Sequence, residues 1–123
     1  MKKRKAGLLL PIASLPGGHG IGDLGPAAYQ FIRSCKATGI RIWQILPIHP
    51  LGYGNSPYQP FSCYAGEAMY ISLELLKTDG LLKKCPAMEC DHPIAYEQVR
   101  NLKERYLQTA YQAFQKQFHI YQK

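Results

Sequence analysis

The chain has 123 residues, 46% of them hydrophobic, with nine Tyr, four Phe and one Trp, which is enough apolar material for one compact core. No stretch is long and apolar enough to span a bilayer, and the basic start MKKRK leads only into GLLLPIA, broken by Pro11 and followed by the poor cleavage site SLPGG, so a soluble cytoplasmic protein without a membrane partner is expected. The net charge of +7 raises the question of nucleic acid, yet Lys2, Lys3, Arg4 and Lys5 form a terminal cluster and most other basic residues are scattered among C-terminal glutamines, a pattern that argues for a solvated face and against a nucleic-acid partner.

Residues 6–11, AGLLLP, form a short apolar run closed by Pro11 and suit a strand buried on both faces. The Gly-rich loop SLPGGHGIGDLG follows. Pro26 occupies a first helical position after Gly25, and Ala28, Phe31, Ile32 and Cys35 recur at helical spacing until Gly39 supplies a stop. IRIWQILP, residues 40–47, is a second apolar run rich in β-branched and aromatic residues, with Trp43 expected in the core. Strand, loop, helix and strand predict one right-handed βαβ unit with two parallel strands.

A loop dense in aromatic residues, GYGNSPYQPFSCYAG (52–66), lies at the carboxyl end of the second strand, where α/β proteins place ligands. MYISLELLKTDGLLKK predicts a short extended piece that turns into a helix stopping at Gly80. CPAMECDHP is a linker by composition. From about Pro93 to Tyr121, Val99, Leu102, Tyr106, Ala110, Phe114 and Phe118 fall three or four residues apart, which predicts an amphipathic helix. The domain organisation expected is 1–84, the βαβ portion with its loops, and 85–123, a linker with a helical segment.

Several residue groups invite a chemical reading. Cys35, Cys63, Cys85 and Cys90 show neither a C-x-x-C pair nor a His at zinc-finger spacing, so buried or free thiols are expected and no metal. GIGDLG, residues 20–25, matches G-x-G-x-x-G letter for letter. It begins well beyond the strand end, however, Asp23 would set a negative charge beside a pyrophosphate, and no acidic residue ends the second strand to hold a ribose. Glycines that let a long loop fold tightly back are therefore expected instead. Asp23 is expected to cap the helix that begins near Pro26. His19 and His49 stand in loops after the strands.

The segments AGLLLPIASLPGGHGIGDLGPAAYQFI and RIWQILPIHPLGYGNSPYQPFSCYAG, with the spacing between them, resemble the amino-terminal part of the 4-alpha-glucanotransferase family, also called amylomaltase or disproportionating enzyme. The resemblance extends less specifically through GLL at residues 80–82 to AYQAF, and so covers nearly the whole chain. It implies an α/β fold, the amino-terminal fragment of a (β/α)8 barrel comprising its first βαβ unit, followed by a helical segment of an inserted subdomain. It also implies transfer of α-1,4-glucan segments between maltooligosaccharides, with retention through a covalent glycosyl-enzyme intermediate and without a cofactor.

By position in the family motif, Tyr58 and Ser56 are substrate-binding residues at the donor-sugar end of the cleft, and Tyr53 belongs to a further glucan-contacting surface. Aromatic rings can cover the apolar faces of pyranose rings while Asn, Ser and Gln replace water at the hydroxyls. His19 and His49 match no catalytic position of the family. The chain departs from the family where Ala65-Gly66-Glu67-Ala68 stands in place of the usual Ala-Gly-Asn-Pro, and where HPLGYG replaces the common GPTGYG.

Retaining chemistry needs two carboxyl groups about 5 Å apart, and a barrel of this kind takes eight strands and typically ~250 residues. By resemblance, this chain holds none of the segments that carry the nucleophilic Asp, the acid/base Glu or the stabilising Asp. It is expected to be a fragment that is inactive alone, produced either by an interrupted reading frame or by a split enzyme whose remaining barrel is a separate chain. A non-catalytic α-glucan-binding module is the alternative. The apolar residues Leu8, Leu9, Leu10, Ile42, Ile45 and Leu46 are then expected to lack most of their barrel partners.

Overall fold

The computed structural model describes residues 4–88 and 93–121, with side chains through residue 118. Two short strands, β1 (Gly7–Leu9) and β2 (Ile42–Gln44), pair in parallel with Gly7 opposite Ile42, Leu8 opposite Trp43 and Leu9 opposite Gln44. The connection between them carries a 3-10 turn at Ile12–Ser14 and helix α1 (Pro26–Ala37). Beyond β2 lie 3-10 turns at Tyr53–Asn55 and Ala68–Tyr70, helix α2 (Leu73–Thr78) and the long helix α3 (Tyr96–Tyr121).

Local chemistry sets the helix limits. Pro26 opens α1 at a position whose amide would have no intrahelical partner. At the other end Gly39, at φ +80°, takes the left-handed conformation, so that its amide donates to the Lys36 carbonyl at 3.2 Å and the Ile40 amide to the Cys35 carbonyl at 2.9 Å. This reversal delivers the chain straight into pairing: the Arg41 amide donates to the Ala6 carbonyl at 2.9 Å. Helix α2 begins under Ser72, whose hydroxyl accepts from the Leu75 amide, and ends at Gly80 in the same way as α1.

The core lies beneath the loops and α3 rather than around the strands. One buried cluster joins Ile12, Ile21, Leu51, Met69, Tyr70 and Val99, with Trp43 packed against it; a second joins Leu73, Leu82 and Ala110. The expectation of a first strand buried on both faces is corrected: Leu8 and Leu9 are exposed, as is Ile42. The physical reason is that among the described residues the sheet has only two strands, too narrow for packed layers to cover both of its faces as they do in a wide parallel sheet. Trp43 is half-buried rather than fully enclosed. Its ring meets Phe31 edge-on with centroids 5.1 Å apart, and its Nε1 donates to the Leu10 carbonyl at 2.8 Å.

Helix α3 packs on α2 and on the turn at Ala68–Tyr70. Val99 and Ala110 are buried and Leu102 and Tyr106 half-buried, while Phe114 and Phe118 stand exposed, their centroids 5.4 Å apart. The apolar stripe is thus covered over its first half only. Residues 89–92 of the expected linker, with Cys90, lie outside the described residues. Among the described residues no helix is long and apolar enough to cross a membrane.

Candidate functional site

The aromatic loop follows β2 and is shaped by its own turn chemistry. The Asn55 amide donates to the Gly52 carbonyl at 3.0 Å and the Gly52 amide to the Ser56 carbonyl at 3.2 Å, which closes the turn at Tyr53–Asn55. The Ser56 hydroxyl accepts from the Tyr58 amide and the Ser62 hydroxyl from the Tyr64 amide, both at 3.2 Å. With the backbone satisfied locally, the rings project outward: Tyr53 is 89%, Tyr58 68%, Phe61 82% and Tyr64 98% exposed. Tyr58 and Ser56 are neighbours across that hydroxyl contact, Ser56 half-buried; Tyr53 stands at the opposite end of the turn.

Beneath the exposed rings sits a buried polar layer. Glu67 accepts from the Leu51 amide through Oε2 at 2.7 Å and from the Met69 amide through Oε1 at 3.0 Å, while its own amide donates to the Ile48 carbonyl at 2.7 Å. Lys103, only 1% exposed, donates from Nζ to Asp23 Oδ2 at 2.8 Å, to the Met69 carbonyl at 2.6 Å and to the Ile71 carbonyl at 2.8 Å. A buried ammonium is tolerable only when a countercharge and further acceptors replace its water, and here three acceptors converge on it. Glu67, Lys103, Phe61, Arg100 and Glu104 all line a cavity of about 320 Å³.

Asp23 therefore does not cap α1 as the sequence suggests. The residue before Pro26 in the capping position is Gly25, with no side-chain cap, and the Asp23 carboxylate turns instead to Lys103 on α3. The glycines of GIGDLG serve close packing: a Cβ on Gly22 would fall 2.2 Å from the Ile12 carbonyl oxygen. His19 is buried, its Nδ1 2.8 Å from the Pro86 carbonyl oxygen, within a short parallel bridge to Met88. His49 is half-buried. Among the described residues no group of three or more His, Cys, Asp or Glu gathers to hold a metal.

Tyr70 and Cys85 titrate above their ordinary ranges. Burial pushes the Tyr70 phenol up, helped by Tyr96 and by the charge of Glu67. Burial also raises the Cys85 thiol, whose Sγ lies 3.2 Å from the Leu73 carbonyl oxygen, with Lys77 opposing and Glu74 reinforcing the shift. Both therefore stay protonated at neutral pH. Cys35 is buried and Cys63 exposed, each a free thiol.

Chemically, the loop offers aromatic faces beside hydroxyl and amide groups, whereas the two carboxylates buried among the described residues are committed. Asp23 pairs with an ammonium and Glu67 with two amides, so neither is placed to serve as a proton donor or nucleophile. Sequence reasoning from the apolar stripe of α3 passed over Lys103. Its signal was present, because Lys103 lies four residues after Val99 and three before Tyr106, on the face that is buried. The loop-closing part of Glu67 had no comparable local signature.

Comparison with known proteins places these features in a family. The 4-alpha-glucanotransferase family profile matches residues 10–123. A 4-alpha-glucanotransferase of Streptococcus pneumoniae is 49% identical over 83 residues, covering 68% of this chain and 16% of its own length. The Aquifex aeolicus 4-alpha-glucanotransferase is 41% identical over 109 residues, covering 83% of this chain and 22% of its own. A solved amylomaltase from Streptococcus agalactiae in complex with acarbose superposes with a TM-score of 0.85 at 35% identity, over 93% of this chain and 24% of that one. The chain thus spans less than a quarter of the length of each.

Proposed function

The chain belongs to the 4-alpha-glucanotransferase family, and on that premise we propose that it is the amino-terminal portion of such an enzyme, contributing one wall of an α-1,4-glucan cleft. Tyr58 and Ser56 contact the donor sugar and Tyr53 a further stretch of glucan. The transfer itself proceeds with retention, on a nucleophilic Asp and an acid/base Glu that belong to the rest of a (β/α)8 barrel. In this reading β1, α1 and β2 form the first βαβ unit, residues 85–123 belong to an inserted subdomain, and the chain by itself is inactive.

The observation that carries the proposal is the likeness, over nearly the whole chain, to an amylomaltase seen with acarbose. The exposed rings of the loop at the carboxyl end of β2 support it, as does the commitment of both buried carboxylates to structural bonds. The test is glucose release from maltotriose by this chain alone and by the chain mixed with a polypeptide supplying the remaining barrel. Release in the mixture only is expected. Release by the chain alone would overturn the assignment of the catalytic carboxylates to the missing part. The exposed rings also suit a non-catalytic α-glucan-binding module, which would bind amylose and give no turnover in either arrangement.

A further inference from the structure

The aromatic loop leaves the core at Leu51 and returns to it at Glu67, both buried, and a single side chain joins the two ends. One oxygen of the Glu67 carboxylate accepts from the Leu51 amide where the loop departs; the other accepts from the Met69 amide just beyond its return. The Glu67 amide closes the same ring from the main chain, donating to the Ile48 carbonyl. Met69 is gripped from its other side as well, because its carbonyl accepts from Lys103, which is paired in turn with Asp23 of the Gly-rich loop. Both ends of the aromatic loop are thereby tied to a buried lattice that reaches α3 and the connection before α1.

We infer that Glu67 is a positioning residue for glucan binding, a clasp that fixes the direction in which the loop presents Ser56 and Tyr58. The role rests on the glucan function proposed for the loop. Two features favour a clasp over a general packing role. Bonds from amides to an ionised carboxylate are stronger than those between neutral groups, and both bonds here are sealed from water. A loop whose ends are held also gives up less conformational freedom when its rings meet a ligand, so the clasp lowers the ordering cost of binding. The carboxylate is itself turned to the backbone and acts through the loop.

The experiment uses the whole 123-residue chain, isotopically labelled, as wild type, Glu67→Ala, Glu67→Gln and Leu82→Ala, the last weakening the second core cluster, which contains no residue of the loop. Two quantities are read: affinity for maltoheptaose, and hydrogen exchange at the Leu51 amide against that at the Leu10 amide, which bonds to Gln44 in the sheet. Losing the two bonds is expected to weaken binding about tenfold in Glu67→Ala and to speed exchange at Leu51 but not at Leu10. Glu67→Gln keeps one acceptor oxygen and falls between it and wild type. Leu82→Ala leaves affinity unchanged. Wild-type affinity in Glu67→Ala, or an equal loss in Leu82→Ala, overturns the clasp. Absence of binding by the wild type overturns the glucan reading; faster Leu51 exchange in Glu67→Ala then still shows that Glu67 holds the loop ends, and unchanged Leu51 exchange overturns the clasp itself.

Discussion

Replacing Lys103 by Met keeps the length of the buried stem and removes the charge. Three groups then lose their donor: the Asp23 carboxylate and the carbonyls of Met69 and Ile71. Removing one member of a buried pair costs about 3–5 kcal/mol, since the remaining charge is left without compensation. The apolar Met side chain offsets a little of this through packing, so a net loss of about 3–4 kcal/mol is expected. A chain of this size has roughly 6–18 kcal/mol in total, so the loss is a large fraction. With a urea slope of about 1–3 kcal/mol per molar, the unfolding midpoint should fall by roughly 1–4 M. The double variant Asp23→Leu with Lys103→Met should recover part of the loss but not all, because the two carbonyls stay unbonded. Lys116→Met, on the exposed face of α3, should stay within about 0.5 kcal/mol of wild type. A Lys103→Met midpoint indistinguishable from that of Lys116→Met would refute the reasoning.

Tyr70 gives a pH signature. Its phenol titrates higher in the folded chain than in the unfolded one, so the folded state holds the proton more tightly; its stabilising contribution is complete below roughly pH 10 and is lost as pH rises through the folded value. Urea midpoints measured from pH 8 to 11 should therefore fall less steeply at the alkaline end in Tyr70→Phe than in wild type. Gly22→Ala pushes a methyl group to 2.2 Å from the Ile12 carbonyl oxygen and should cost at least about 2 kcal/mol in a thermal melt. The exposed Leu8, Leu9 and Ile42 beside unpaired strand edges should make the isolated chain associate, and Leu9→Lys should shift sedimentation toward monomer. A wild-type chain that sediments as a monomer would count against that.

The Gly39 stop shows why parts of the fold were legible. Its reversal depends on bonds within six residues, to Lys36 and Cys35, so the sequence alone contains every partner. Pro26 marked the start of α1 for the same reason. The strand runs at 6–11 and 40–47 were located, but regular pairing covers only Gly7–Leu9 and Ile42–Gln44, because pairing depends on neighbours and each strand has one. Their exposure follows from the same shortage.

The Asp23–Lys103 pair was not legible from Asp23. Its partner lies 80 residues away, and a carboxylate just before a helix reads locally as a cap. Tyr53, Ser56 and Tyr58 were readable as members of a loop because Gly, Asn, Ser and Pro punctuate it. The buried layer that fixes that loop was not, since Glu67 bonds backbone amides that every sequence possesses.

The proposed glucan wall is tested most directly by titrating maltoheptaose into the isotopically labelled chain and following the amide signals of residues 52–66. Saturable shifts centred on Tyr53, Ser56 and Tyr58, weakened in Tyr58→Ala with the fold intact, are predicted. Shifts absent from this loop at millimolar sugar, or unchanged in Tyr58→Ala, would contradict it.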